Sequence, residues 1–253
     1  MTSALRAYEY WLYTYRRVWR GTFMSSLLNP VLYLTALGVG LGKLVNRGST
    51  PLGVPYLDFV APGMLAATAM QIAAIEGAFP IRAAIAWTRT YHGMLATPLR
   101  VIDLIAGHLL YVATRVFGAA CIYLLVITAF GAVHSWAAVF APLIAIAVGL
   151  AFAAPVSAIS AWSENEVFNP LFRFVITPMF LFSGVFFPVE RLPHLLRLLA
   201  YLTPLWHGVD AVRALTLGTA TLNRELLHVA YLLAFAGAGA FLAYRAHRGK
   251  LVT

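Results

Sequence analysis

Charged residues are scarce in this sequence of 253 residues. Asp, Glu, Lys and Arg together make up 11% of it, against about 25% in an ordinary soluble domain. Acidic residues are the scarcer kind, with nine against 18 basic ones. Apolar residues reach 61%, and this excess excludes an ordinary soluble domain and indicates a chain that lies in a lipid bilayer.

Motifs for nucleotide binding and for catalysis are also lacking. The segment GVGLGKL at 38–44 has some likeness to a phosphate-binding loop, but Leu37 stands where such a loop needs its first glycine. Leu44 follows Lys43, where the loop needs Ser or Thr. No nucleophile, base and orienting acid stand out as a catalytic triad. We therefore expect that this chain is not an enzyme and binds no ATP itself.

Cysteines and metal-ligand patterns are few. The single cysteine cannot form an internal disulfide. Two sets of residues have spacings that place them on one helical face: Glu190 with His194, and His207 with Asp210 and Arg213. Metal binding needs such spacing, but caps and ion pairs produce it more often. We expect no metal site, and an internal ion pair around Asp210.

Six stretches with little or no charge are long enough to cross a membrane. A helix needs about 20 apolar residues to cross a hydrocarbon core of about 30 Å. The predicted spans cover about 23–42, 59–75, 104–133, 136–162, 167–189 and 226–244. The third holds His108 and Arg115, which either act in transport or extend to the interface. The sequence predicts a single all-α integral membrane domain over 1–253.

The distribution of Lys and Arg predicts the orientation, because positively charged loops are retained in the cytoplasm. With the N-terminus inside, eleven Lys or Arg residues, Arg173 included, fall in inside segments and six in outside ones. Four of those six follow the fifth span, where apolar runs over about 190–220 predict short re-entrant helices at the outer interface. Both termini are therefore predicted to be cytoplasmic. The net charge of +9 reflects this topology, and we infer no nucleic-acid site from it.

Residues 1–22 have the pattern of an amphipathic helix. Apolar and aromatic residues recur at spacings of three and four, with Arg16 and Arg20 on another side. The apolar positions are Leu5, Tyr8, Leu12, Tyr15 and Trp19. Such a helix usually lies flat at the level of the lipid headgroups, so we predict an interfacial anchor here.

The segment EGAFPIRAAIAWTRTYHGMLATPLRVID at 76–103 concentrates charge between two apolar stretches. Over 77–95, apolar and aromatic residues are interleaved with basic ones, which predicts an amphipathic helix. Two roles fit it: an interfacial anchor, or a docking surface for a partner protein. The shorter inside loop at 163–173, with Glu164 and Glu166, is either a second contact or a solvated turn.

Four motifs, through their order and spacing, resemble the membrane subunit of the type 2 ABC exporters. They are FVAPGML at 59–65, MLATPL at 94–99, FLFSGVFFPV at 180–189 and PLWHGVDAVR at 204–213. The similarity covers nearly the whole chain and is to the branch of lipo-oligosaccharide, or nodulation-factor, and drug-resistance permeases. It implies a bacterial inner-membrane permease that pairs with a separate ATPase subunit, which binds ATP and Mg²⁺, and with a second copy of itself.

The resemblance also implies roles for particular residues. The segment 77–95 matches the family's coupling helix, which seats in a groove of the cytoplasmic ATPase, and an acidic residue at the end of the second span matches a family position. The expected ATPase-coupling residues are Glu76, Arg82, Trp87, Arg89, Tyr91 and His92.

In the family arrangement, the second and fifth spans line the central path of the dimer. They offer Met64, Met70, Gln71, Met179, Phe180, Phe182, Phe186 and Phe187. A cleft of Met and Phe with almost no fixed charge suits a hydrophobic or amphiphilic molecule, and lipid-linked sugars and lipophilic drugs both fit. Alternatively, these side chains only pack against lipid and neighbouring helices.

An ion-coupled secondary transporter is the alternative function. It would need paired acidic residues within the spans. Glu76, Asp103 and Glu164 all lie at predicted span boundaries. The sequence therefore favours the membrane subunit of an ATP-driven exporter of an amphiphilic or lipophilic compound.

Overall fold

The computed structural model describes residues 2–46, 53–163 and 167–252, and all regular structure in these ranges is helical. The helices are α1 (Thr2–Tyr33), α2 (Tyr56–Arg82), α3 (Thr90–Leu95), α4 (Val101–Ala129), α5 (Ala141–Trp162), α6 (Phe168–Phe182), α7 (His194–Tyr201), α8 (Pro204–Leu217) and α9 (Leu222–Leu251). Shorter turns adjoin them at Leu34–Leu41, Gly42–Val45, Ala83–Trp87, Trp136–Phe140 and Val189–Arg191. The prediction of an all-α membrane protein is confirmed.

Five helices in the described ranges are long and apolar enough to cross a membrane, and α6 is shorter. The fifth span was predicted over 167–189, but α6 ends at Phe182. Gly184 follows with a φ of 81°, and the chain bends over 183–187. A backbone turn of this kind favours glycine and cannot continue a helix. The chain therefore turns back after α6 and continues into α7 and α8.

The N-terminal segment differs from the prediction of a separate interfacial helix over 1–22. α1 begins at Thr2 and continues without a break into the turns that end at Val45. Its first part runs alongside α4: a side chain at Gly107 would meet Ala7, and the Tyr8 hydroxyl lies 3.1 Å from Oγ1 of Thr114. Tyr8, Leu12 and Tyr15 of the predicted face pack against the core, whereas Leu5 and Trp19 are exposed, and the predicted anchor is continuous with the helix of the first span.

Contacts between the helices define two ends of the bundle, a basal end and a distal end. At the basal end, Trp11 of α1, Tyr91 of α3 and His247 of α9 come together. At the distal end, the Asn46 side chain accepts a hydrogen bond from the Tyr56 amide (3.0 Å), and the His134 amide donates to the Thr216 carbonyl (2.8 Å). Both termini therefore lie at the same end of the bundle as α3.

Small residues let the central helices approach closely. α2 meets α5 at Gly77, where an added Cβ would lie 2.8 Å from the Ala153 carbonyl oxygen, and the Ser160 hydroxyl donates to the Gly77 carbonyl (2.8 Å). α5 meets α9 where a Cβ on Gly239 would lie 2.5 Å from Cδ of Pro155. Such contacts are typical of helix packing in membranes, where close backbone approach replaces the hydrophobic driving force.

Helix α8, in the segment predicted to be re-entrant, packs into the distal half of this bundle. The Thr203 side chain caps it by accepting from the Trp206 amide (3.2 Å), and Gly218 ends it with a φ of 77°. At Gly208, a Cβ would lie 2.2 Å from Val148 of α5 and 3.8 Å from Ala66 of α2. The segment predicted to dip back over 190–220 thus contacts two spans directly.

Candidate functional site: a basal surface and an intramembrane cleft

The predicted coupling segment is not one helix. α2 and its last turns continue to Trp87, Arg89 then adopts left-handed backbone angles (φ 51°, ψ 25°), and α3 starts at Thr90. The prediction of a single amphipathic helix over 77–95 is therefore wrong. The reason is the turn at Thr88, whose amide and hydroxyl both donate to the Ala83 carbonyl and end the helix.

Three of the six predicted ATPase-coupling residues form an exposed basal surface. Trp87 is 60% exposed, and Arg89 and His92 are exposed as well. Arg82 lies half-buried on the last turn of α2. We call Trp87, Arg89 and His92 the basal patch. An exposed tryptophan beside two basic side chains suits contact with an acidic partner surface or with lipid headgroups.

Tyr91 lies inside the protein instead. It is 1% exposed, and its ring lies 6.3 Å from that of Trp11 and 6.1 Å from that of His247, between ring centres. Burial raises the pKa of its hydroxyl above the ordinary value. The expectation that Tyr91 touches a partner directly needs correction, because this side chain fixes α3 to the first and last spans.

A row of contacts connects this position with α2. The Trp11 ring is in edge contact with His108 of α4, at 4.7 Å between ring centres. Nε2 of His108 donates to the backbone carbonyl of Glu76 (3.1 Å). The side chain of His108 therefore does not extend to the membrane interface. Contacts from Tyr91 of α3 through Trp11 and His108 form a continuous row that reaches α2 inside the bundle.

Glu76 lies within α2 and pairs with Arg115 of α4. The guanidinium donates to Oε1, and both side chains are largely buried. The sequence placed Glu76 at the boundary of the second span, but Glu76 does not lie at a helix end, since the helix continues for eleven residues to Trp87, or about 16 Å. Glu76 is thus too far from the basal patch to contact a partner docked there. Arg115 neutralises its charge inside the bundle.

A cleft of about 230 Å³ lies beside this ion pair, between α1 and α2. Its lining comprises Thr22, Ser25, Ser26, Asn29, Pro30, Tyr33, Met64, Thr68, Gln71, Ile72, Ile75, Glu76 and Arg115. Of the predicted path residues, Met64 and Gln71 line it, whereas Met70 is fully buried among the helices. Hydroxyls, amides and one ion pair share this cleft with apolar groups, so it differs from the path of Met and Phe expected between two copies of the chain, which stays a prediction.

The predicted path residues of the fifth span lie elsewhere. Met179 and Phe182 line an apolar groove of about 370 Å³ between α6 and α7. Phe180 packs edge-on against Phe186, at 5.0 Å between ring centres, and Phe182 lies 6.5 Å from Phe187. Within one chain these residues do not meet the cleft of α1 and α2.

The sequence did not predict that Arg213 connects several parts of the fold. Its Nε donates to the Phe59 carbonyl (3.1 Å), and one terminal nitrogen donates to the Gly184 carbonyl (2.8 Å). Burial lowers its pKa to about 10. It therefore pins α8 to α2 and to the bend after α6, and a lone arginine inside an apolar helix is the signal that could have identified it.

The predicted ion pair around Asp210 has other partners. Oδ2 of Asp210 lies 2.6 Å from the Arg224 guanidinium and 2.9 Å from Nε2 of His228.

Residues 164 and 166, proposed for a second contact, lie outside the described residues. In the ranges that are described, no group of three or more His, Cys, Asp or Glu side chains could hold a metal ion.

The comparisons with known proteins agree with one another. Residues 8–217 match the family described as ABC-2 type transporter. Nodulation protein J of Rhizobium leguminosarum bv. viciae is 35% identical over 231 residues, which are 88% of this chain and 87% of that protein. Nodulation protein J of Rhizobium meliloti is 31% identical over 251 residues, 96% and 94% of the two chains. The inner membrane transport permease YadH of Escherichia coli is 26% identical over 208 residues, 80% and 78%.

Proposed function

The chain belongs to the ABC-2 type transporter family, and we propose that it is the permease subunit of an ATP-driven exporter in a bacterial inner membrane. Its substrate in this proposal is an amphiphilic or lipophilic compound, such as a drug, a lipo-oligosaccharide or a glycolipid. ATP and Mg²⁺ belong to a separate ATPase subunit. Both termini lie in the cytoplasm, an orientation supported by the excess of basic residues in the segments assigned inside.

The basal patch is the proposed contact with the ATPase. Trp87, Arg89 and His92 are exposed at the end of the bundle where both termini lie, so a cytoplasmic partner would reach all three. Arg89 projects from a turn whose backbone is fixed by the end of α2. A basic side chain held on a rigid turn suits an acidic groove of a partner, because hydrogen bonds to charged groups are stronger than those between neutral groups.

One observation carries this proposal: Tyr91 is buried in the bundle although its neighbours Arg89 and His92 are exposed. A partner that moves the basal patch must also move the Tyr91 ring, which packs on Trp11. From Trp11 the contacts continue through His108 to α2. We propose that this packed row carries motion from the ATPase to the cleft, as contiguous contacts with two arrangements can do.

A second copy of the chain would complete the path. Apolar side chains of α1 remain exposed beside the cleft, Met24, Leu28 and Leu32 among them. Since α1 carries one wall of the cleft, a partner helix there would close it from the membrane side. The mixed lining, with Met64 and Ile75 next to hydroxyls and amides, suits a molecule with both an apolar and a polar part.

Charge reversal in the basal patch tests the function. The permease is reconstituted with the ATPase subunit that co-purifies with it, and substrate-stimulated ATP hydrolysis is measured. We expect Arg89→Glu to lower it about tenfold or more, because a lost charge pair and a new repulsion weaken the contact. Lys43→Glu, at the exposed distal end of the first span, is the matched control and should have no effect. Unchanged coupling in Arg89→Glu would contradict the proposal.

The ion-coupled alternative gains one observation from the structure, a largely buried carboxylate away from the ends of its helix. Glu76 lines the cleft, although Arg115 neutralises it. Transport in proteoliposomes separates the two functions. An ATP-driven exporter keeps its transport when a protonophore and a sodium ionophore are added and loses it when ATP is withdrawn, whereas an ion-coupled transporter does the opposite.

A further inference from the structure

A groove opens between α5 and α9 at the basal end of the bundle. The two helices touch where Gly239 meets Pro155, and they separate towards their ends: a Cβ on Gly249 would have no neighbour within 4 Å. The resulting cavity is about 570 Å³ in volume. Trp162 and Leu242 both line it, and both are exposed. The groove therefore faces the surroundings of the bundle rather than its core.

The mouth of the groove is basic and its floor is apolar. Arg245 and Lys250 line it, together with apolar groups of Pro155, Ile159 and Leu242. Both cations are exposed, and no carboxylate within residues 2–46, 53–163 and 167–252 forms an ion pair with either. Two positive charges without a carboxylate partner among the described residues, at the end of an apolar channel, match a ligand that carries an anion on a hydrocarbon chain.

We propose that this groove binds one anionic phospholipid of the surrounding bilayer. Its phosphate lies between Arg245 and Lys250, and an acyl chain lies along Ile159 and Leu242 towards the close contact at Gly239. Basic pockets between transmembrane helices bind lipid headgroups through such charges. Trp162, which is 79% exposed, lies at the rim of the groove, and an amphipathic ring of this kind prefers the headgroup region.

A lipid fits better than a protein partner, because the groove is bounded by two spans. Leu242 is exposed on the side of α9, two turns from its end, so the apolar part of the groove continues into the depth occupied by acyl chains. A soluble phosphate compound would use the cations but would leave this apolar part empty.

Native mass spectrometry of the purified, full-length chain tests the proposal. The protein is titrated in detergent with palmitoyl-oleoyl phosphatidylglycerol or with the zwitterionic phosphatidylcholine of the same chains. We expect retention of phosphatidylglycerol, and about tenfold or more weaker retention by the double variant Arg245→Gln/Lys250→Gln, since each cation near a membrane surface contributes attraction to anionic lipid. Equal binding of the two lipids by the unmodified protein would overturn the proposal.

Two matched variants sharpen the result. Arg248→Gln removes a charge at the same end of α9, but Arg248 lines a different cavity with Arg100 and Tyr244, so lipid retention should be unchanged. Gly249→Leu adds an apolar side chain to the open groove without changing charge, and its Cβ would meet nothing within 4 Å, so it should weaken retention while the protein stays folded. An equal loss in Arg248→Gln, or full retention in Gly249→Leu, would refute the site.

Glycerol 3-phosphate distinguishes a lipid site from a simple anion site. It carries the same phosphate without an acyl chain, so millimolar amounts should leave the phosphatidylglycerol adduct intact. Displacement at such concentrations would assign the site to soluble phosphates and contradict a lipid occupant.

Discussion

The Arg115 guanidinium donates a hydrogen bond to the Glu76 carboxylate inside the bundle, across 39 positions of the sequence. The two side chains are 15% and 9% exposed, so little water reaches either of them. Leaving one charge of such a pair without its partner is more costly than removing both. The pair thus sets both the stability of α2 beside α4 and the charge of the cleft.

Breaking this pair from either side should destabilise the protein. We expect Glu76→Gln and Arg115→Gln each to cost about 3 kcal/mol, because each leaves a buried charge uncompensated. The double variant should lose less than the sum of the two. Thermal unfolding in detergent measures this, with the exposed Arg17→Gln as a control that leaves Tm unchanged. Additive losses would show that the two side chains do not interact.

Two glycines of α9 provide a test of helix packing. An added methyl at Gly239 would lie 2.5 Å from Pro155, whereas at Gly237 it would meet nothing within 4 Å. We expect Gly239→Ala to destabilise the protein by about 1–3 kcal/mol through overpacking. Gly237→Ala should raise stability by up to about 1 kcal/mol, since alanine favours a helix over glycine. Unfolding midpoints of both variants, measured side by side, should therefore shift in opposite directions.

Sequence reasoning predicted the long apolar helices, because uncharged runs of sufficient length leave few alternatives in lipid. It did not show that the helix continues past Glu76, since the partner Arg115 stands in another helix and pairing across helices leaves no local pattern. The fifth span was drawn too long because Gly184 sits within an apolar run, and only its backbone angle reveals the turn. Tyr91 is buried although the adjacent His92 is exposed, so its burial depends on tertiary packing that the local sequence does not show.

The stability of the distal end should depend on pH through His207. Its ring stacks on Tyr231, at 3.8 Å between ring centres, and its Nδ1 lies 2.9 Å from Nδ1 of His228. Burial, and then the neighbouring His228, lower the pKa of His207 to about 4, from an ordinary value of about 6.5. The unfolded chain therefore binds a proton at a higher pH than the native protein, and stability falls as the pH drops from about 6.5 towards 4.

Asp210 does not cancel this effect between pH 7 and 5. Its burial alone would raise the carboxyl pKa, but the hydrogen bond from His228 and the charge of Arg224 lower it below its ordinary value. Asp210 thus stays ionised across this range. We expect Tm to fall by a few degrees between pH 7 and pH 5, and to fall less in His207→Gln. An equal pH dependence in the two proteins would exclude His207 as its source.

Tyr91 and His92 should have separable effects, since one is buried and the other exposed. Tyr91→Ala removes a ring packed on Trp11 and should cost about 3–5 kcal/mol, as deleting a buried aromatic side chain usually does. Tyr91→Phe keeps the ring and should stay close to the unmodified protein. His92→Ala should leave Tm unchanged but lower substrate-stimulated ATP hydrolysis several-fold, because it removes only a surface contact of the proposed docking site. Calorimetry and ATPase assays on the same preparations separate the two outcomes. An unchanged Tm in Tyr91→Ala would mean that α3 is not held by this ring, and the proposed row of contacts from the basal patch to the cleft would then lack its first member.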